Sequence, residues 1–240
     1  MRLSQLYTKA KLDILLVGLG LISFWLMLAT SSDPILALIK DTPIAQAFQQ
    51  FDTGNQVAFD LSVGVLSAIG MFYLLVRLPE YERKNRIKRH LQFSYQSFKR
   101  SVIQIFVGSV RGSYDSETVE RLMDQKSFRD FFKEPHTHSQ DKWDCVANKM
   151  DDFLLRQITL ETELLFQEFQ HALSMLDIKD PAVFSFMKHL SIALYRTKNW
   201  STDYDGTKQT LDFFWRIFTG WSGVDGYAEH EYIPRMIAKL

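Results

Sequence analysis

Apolar residues along this chain follow two different patterns. Ile14 to Thr30 (ILLVGLGLISFWLMLAT) and Leu61 to Val76 (LSVGVLSAIGMFYLLV) contain no charged residue and no polar face. At about 1.5 Å per residue each run makes a helix of roughly 24–26 Å, close to the hydrocarbon thickness of a bilayer. With flanking residues they predict transmembrane helices at about 12–30 and 57–78, joined by an external loop at 31–56. Asp60 and Arg77 stand near the ends of the second span, where their side chains can reach the headgroup zone. Two other readings of these runs are a cleaved signal peptide for the first and buried core helices for both.

Beyond residue 90 the apolar positions recur at helical spacing instead. Leu91, Phe93, Phe98, Val102, Ile105, Phe106 and Val110 define one helix to Arg111. Asp115 or Ser116 caps a second, which stops before Pro135. Asp141 to Leu176 is the longest periodic stretch. Asp180-Pro181 opens another helix that runs to about Arg196. After the loop KNWSTDYDG come Thr210 to Thr219 and a short piece beyond Pro234. No strand signal accompanies them. The expected fold is all-α, an N-terminal two-helix transmembrane hairpin (1–80) followed by a basic juxtamembrane segment (81–100) and a cytoplasmic helical domain (101–240). Fourteen of the 19 phenylalanines fall after residue 90, enough for a real core.

Charge then sets orientation. The 28 basic and 28 acidic residues cancel, but in blocks. Residues 1–30 carry +2, 31–60 carry −3, 61–100 carry +6 and 101–240 carry −5. The basic blocks flank the two spans and the loop between them is acidic. The positive-inside rule therefore puts both termini in the cytoplasm. Pro34 to Phe51 in that loop reads either as an interfacial helix or as an irregular segment broken at Pro43. The run Arg83, Lys84, Arg86, Lys88 and Arg89 touches the membrane exit. Lipid headgroups explain it better than nucleic acid, because no nucleic-acid fold motif accompanies it.

The residues capable of chemistry point away from an enzyme. His136-Thr-His138 offers two ligands, but the carboxylates around it match no metal-site spacing. Glu229-His230-Glu231 lacks the i, i+4 pair of a zinc helix. Cys145 lies beside Asp141 and Asp144, which disfavour a thiolate. No nucleophile elbow or phosphate loop occurs. Neither catalytic residue, metal nor cofactor is expected, and no small-molecule substrate. Gly18, Gly20, Gly64, Ala68 and Gly70 lie within the spans, where small residues let helices approach and self-associate. Phe213, Phe214 and Trp215 are consecutive and cannot share one helix face. With Trp221 they suggest a partner surface beside core packing.

This hairpin, its basic exit RKNRIKR and the all-helical domain together resemble the two-transmembrane effectors of bacterial retron anti-phage systems. The resemblance covers the architecture of the whole chain. It implies an inner-membrane effector held inactive alongside a reverse transcriptase and its RNA/DNA product. Phage interference releases it, and it disrupts the membrane in abortive infection. No catalytic residue is carried over, because the family expects none. The alternative reading is a non-enzymatic, membrane-anchored adaptor that recruits a cytoplasmic partner.

Overall fold

A computed structural model describes residues 3–30 and 56–240. The expected external loop, with the interfacial helix or irregular segment at Pro34 to Phe51, lies outside the described residues. Among the described residues the fold is all-α apart from two short β-hairpins, and the chain divides into two compact units, Met1–Arg83 and Lys84–Leu240.

The first unit holds helix α1 (Leu3–Thr30) and helix α2 (Gln56–Phe72), packed as an antiparallel pair. Lys11–Ala29 of α1, and the continuous helix Gln56–Arg111 that α2 begins, are long and apolar enough to cross a membrane. Asp13 of α1 pairs with Arg77, and Gly20 of α1 lies against Ile69 of α2, which fixes the register. Among the described residues the fully buried positions of the pair are small: Ser23, Ala29 and Ser62. The Ser62 hydroxyl donates to the Ala58 carbonyl at 2.7 Å, so it needs no outside acceptor. Many of the large side chains face outward, including Ile14, Leu15, Leu21, Phe24, Leu61 and Leu75.

A π turn (Tyr73–Arg77) follows α2 without a break and continues into α3 (Leu78–Arg111). Helix is therefore uninterrupted through residues 81–100, and residues 84–100 belong to the second unit.

That unit is built around the C-terminal half of α3. Leu91, Tyr95, Phe98, Val102, Ile103, Phe106, Val107 and Val110 are all buried, a stripe wide enough to pack on several neighbours. Around it stand α4 (Ser116–Leu122), α5 (Gln125–Lys133), α6 (Lys142–Lys149), α7 (Asp152–Met175), α8 (Pro181–Arg196), α9 (Tyr204–Thr219) and α10 (Tyr232–Ala238). Phe106 meets Phe214 edge-on at 5.4 Å and Trp143 at 5.2 Å, while Phe128 contacts Phe218 at 5.4 Å. Each such ring contributes roughly 1.5–3 kcal/mol by burial.

Aspartates open six of these helices. Asp115, Asp124, Asp141, Asp151, Asp180 and Asp203 each accept a backbone N–H from the first turn of the helix that follows. Asp141 and Asp144 close a reciprocal capping box. Each cap stabilises its helix by about 1 kcal/mol.

Five expectations need correction. The single helix expected from Asp115 or Ser116 to before Pro135 is two, α4 and α5, because Asp124 caps α5 just after α4 ends at Leu122. The stretch from Asp141 to Leu176 is two helices, because Asp151 caps α7 and interrupts the run at Met150. Helix α9 begins at Tyr204 and not near Thr210, since Asp203 inside the supposed loop is its cap. Helix α10 starts at Tyr232, with Pro234 in its first turn, where a missing N–H costs nothing. Two hairpins, Pro135–Thr137 with Gln140–Asp141 and Trp221–Ser222 with Gly226–Tyr227, are too short to show alternation in sequence.

Candidate functional site

The outstanding chemical feature of the first unit is its surface. Among the described residues, only 11% and 6% of the apolar cores of the two candidate spans are buried. Core helices of a water-soluble protein bury such faces. A two-helix pair cannot, so the remainder requires an apolar solvent or a partner.

Charges delimit this surface. Asp60 is exposed and accepts from the Gln56 amide at 3.3 Å, within the first turns of α2. The next charge is Arg77, about 25 Å further along the helix at 1.5 Å per residue. Arg77 is 22% exposed and is bracketed by acids. It pairs with Asp13 across the helix pair and approaches Glu80 at 3.7 Å. Its guanidinium also lies 5.8 Å from the Phe72 ring. An arginine so neutralised can sit at the edge of an apolar layer at little cost. The Asp13–Arg77 pair escaped sequence reasoning, although its signal was present: opposite charges adjoin the same end of the two uncharged runs.

The basic run comes next. Arg83, Lys84, Arg86 and Arg89 are exposed. Steps of one, two and three residues, at about 100° per residue, wind these cations around the whole helix over about 9 Å. The result is a collar and not a stripe, comparable in depth to the polar zone on one side of a bilayer. Lys88 departs from the pattern. It is half-buried and donates to the Ala238 carbonyl at the end of α10, so the domain itself engages it.

The small residues separate into two groups. Gly20 meets Ile69 inside the pair. No side chain lies near Gly18, Gly64 or Gly70, and Gly64, Ala68 and Gly70 are exposed. The Gly64/Ala68 face of α2 therefore points away from α1.

The aromatic cluster is mostly core. Phe214 is fully buried, which removes it from any partner surface. Phe213 leans on Trp200 at 5.3 Å, and Trp215 packs against Trp143 at 5.2 Å. Three consecutive rings are covered because neighbours flank α9 on more than one side. Trp221 alone is exposed, stacked on Tyr227 at 4.8 Å. With Trp143, Trp215, Tyr204, Asp144 and Asp212 it lines a groove of ≈ 920 Å³. Both carboxylates there have other work: Asp144 is in the capping box and Asp212 pairs with Arg216 at 2.8 Å.

A buried ion pair was also missed. Lys99 is completely buried; its ammonium donates to the Met123 carbonyl at 2.6 Å and pairs with Glu231. Glu231 belongs to the Glu229-His230-Glu231 run weighed above as a metal ligand set. Its carboxylate instead ties the entry of α10 to the central helix. Burial, and then the negative charge of Glu231, push the neighbouring Tyr95 phenol well above its usual range. His136 and His138 are exposed on the first β-hairpin, and Cys145 is a buried free thiol. No group of three His, Cys, Asp or Glu side chains converges among the described residues.

No protein-family model, curated protein sequence or solved structure matches the chain.

Proposed function

We propose that the chain is a non-catalytic, two-span effector of the bacterial inner membrane, with both termini cytoplasmic. The hairpin acts on the bilayer, and the helical domain holds it in check until released. The observation that carries this reading is the outward-facing apolar surface of α1 and α2, bounded by Asp60 at one end and the Asp13–Arg77 pair at the other. The basic collar beyond Arg77 supports a cytoplasmic exit, at roughly 1 kcal/mol per cation near anionic headgroups. The resemblance to retron effectors supplies the biological setting: restraint by a reverse transcriptase and its RNA/DNA product, release on phage interference, and abortive infection.

Mechanistically, hairpins released from restraint associate through the outward Gly64/Ala68 face. Short spans of about 24–26 Å then thin the surrounding bilayer or line a leak. The test is expression of the chain alone in bacterial cells, with membrane potential followed by a dye. Depolarisation and growth arrest support the effector. Replacing Gly64 and Gly70 by Leu should weaken both. Unchanged potential and growth, including on phage challenge of the complete operon, removes the effector reading.

The second reading, a membrane-anchored adaptor, is favoured by one observation. The groove beside Trp221 presents exposed indole and phenol rings without an engaged catalytic group. An adaptor leaves the potential untouched and loses partner recruitment on Trp221→Ala.

A further inference from the structure

Helix α7 carries a second exposed apolar line, outside the membrane hairpin and outside the tryptophan groove. Its core face is Leu155, Ile158, Thr162, Leu165, Phe169 and Ala172. Phe153, Leu160 and Leu164 point elsewhere, at 66%, 59% and 50% exposure, and Gln157 shares their face. The spacings from 153 to 157, 160 and 164 are four, three and four. That is the a/d alternation of a two-stranded coiled coil, a narrow seam and not the wide stripe of a core-facing helix.

One flanking pair fits the same register; the next g and e positions, Glu163 and Glu168, carry like charge. With Leu160 at a d position, Arg156 is a g residue and Glu161 is the e residue five places on. In a parallel pair, g of one helix meets e of the next heptad on the other. Arg156 would then face Glu161 of a second copy, and the two-fold axis makes the contact twice. Neither side chain has an ion-pair partner among the described residues. Glu163 and Glu168, next along the flanks, are instead engaged by Lys198 and His90 within the domain. Gln157 at an a position suits two strands in fixed register, as single polar residues do in coiled-coil seams.

We propose that this face of α7 is a parallel homodimer seam, Phe153–Gln157–Leu160–Leu164, bracketed by Arg156–Glu161 pairs between copies. Its occupant is a second copy of this chain. Three turns of helix bury on the order of 600 Å² in total, well short of a stable standard interface. The seam therefore forms where copies are concentrated, as confinement to a membrane concentrates them; in that respect it rests on the membrane reading above.

Disulfide trapping of the full chain in whole cells tests the seam. Leu160→Cys should give a species of twice the 28.0 kDa chain under mild oxidant, while Lys179→Cys, beyond the end of α7, should not. Arg156→Glu should cut the Leu160→Cys dimer about fivefold, and adding Glu161→Arg should restore it. A mixture of Phe153→Cys and Leu164→Cys chains that cross-links, where neither chain alone does, would mean antiparallel pairing and overturn the proposal. So would a Leu160→Cys chain that stays monomeric while resisting carbonate extraction from membranes, which leaves the membrane reading standing. A chain that washes off in carbonate fails the membrane reading, and with it the confinement on which the seam depends, so both are overturned. A dimer yield indifferent to Arg156→Glu overturns the assigned register.

Discussion

Helices α1 and α3, 28 and 34 residues long, turn their large side chains in opposite senses. Along α1 the large apolar side chains Ile14, Leu15, Leu21 and Phe24 face out, and the fully buried positions, Ser23 and Ala29, are small. In the C-terminal half of α3 the large side chains face in, and the polar residues cover them. In water the hydrophobic effect drives large apolar groups together. In lipid it does not act between helices, and close approach through small residues takes its place. The buried positions of the first unit fit the second rule and the core of the second unit fits the first.

That contrast can be broken most severely at the buried ion pair. Glu231→Ala leaves Lys99 charged, buried and short of an acceptor. We expect the helical domain to lose about 3–5 kcal/mol, read by denaturant unfolding of the full chain with tryptophan fluorescence. Leu21→Ala, a change of similar bulk on the outward face of α1, should move the same transition by no more than about 0.5 kcal/mol. Comparable losses for both would erase the distinction between the units.

A smaller effect is expected at the end of α9. Gly220 has φ +66°, and a Cβ there would lie 2.5 Å from the Gln125 amide. That amide donates to the Thr219 and Ala228 carbonyls at 2.7 Å each, so it cannot retreat cheaply. Gly220→Ala should cost about 1–2 kcal/mol in the same assay. Gly64→Ala, in open space on α2, should leave the domain's unfolding unchanged.

The smallest effect concerns acid. The Ser127 backbone N–H holds the Asp124 carboxyl below its usual range. Its contribution is complete above the unfolded value, about 3.9, and is lost as pH falls through the lower folded value. Asp124→Asn should therefore flatten the acid limb of the domain's stability profile and leave the limb above pH 5 in place.

Some of this was legible in sequence and some was not, for physical reasons. Uncharged runs of 16 and 17 residues and a 3.6-residue period survive any packing, so the helical class could be read directly. The caps at Asp115 and Asp180 could be read too, because Ser116 and Pro181 mark the first helical position. Asp151 and Asp203 were hidden, one inside a continuous apolar period and the other inside a polar loop. Six of the aspartates in the acidic block 101–240 are helix caps, which a charge sum does not show. Phe213, Phe214 and Trp215 misled because a helix enclosed by neighbours can bury more than one face. Pairings over long separations, Asp13 with Arg77 and Lys99 with Glu231, depend on tertiary register and leave no local trace.

The central claim is that lipid surrounds the first unit and water the second. Protease digestion of carbonate-washed inverted inner-membrane vesicles tests it directly. Digestion should remove residues from about 84 onward and leave the hairpin membrane-bound and protected. Release of the intact chain into the carbonate wash, or a helical domain protected inside the vesicles, would contradict it.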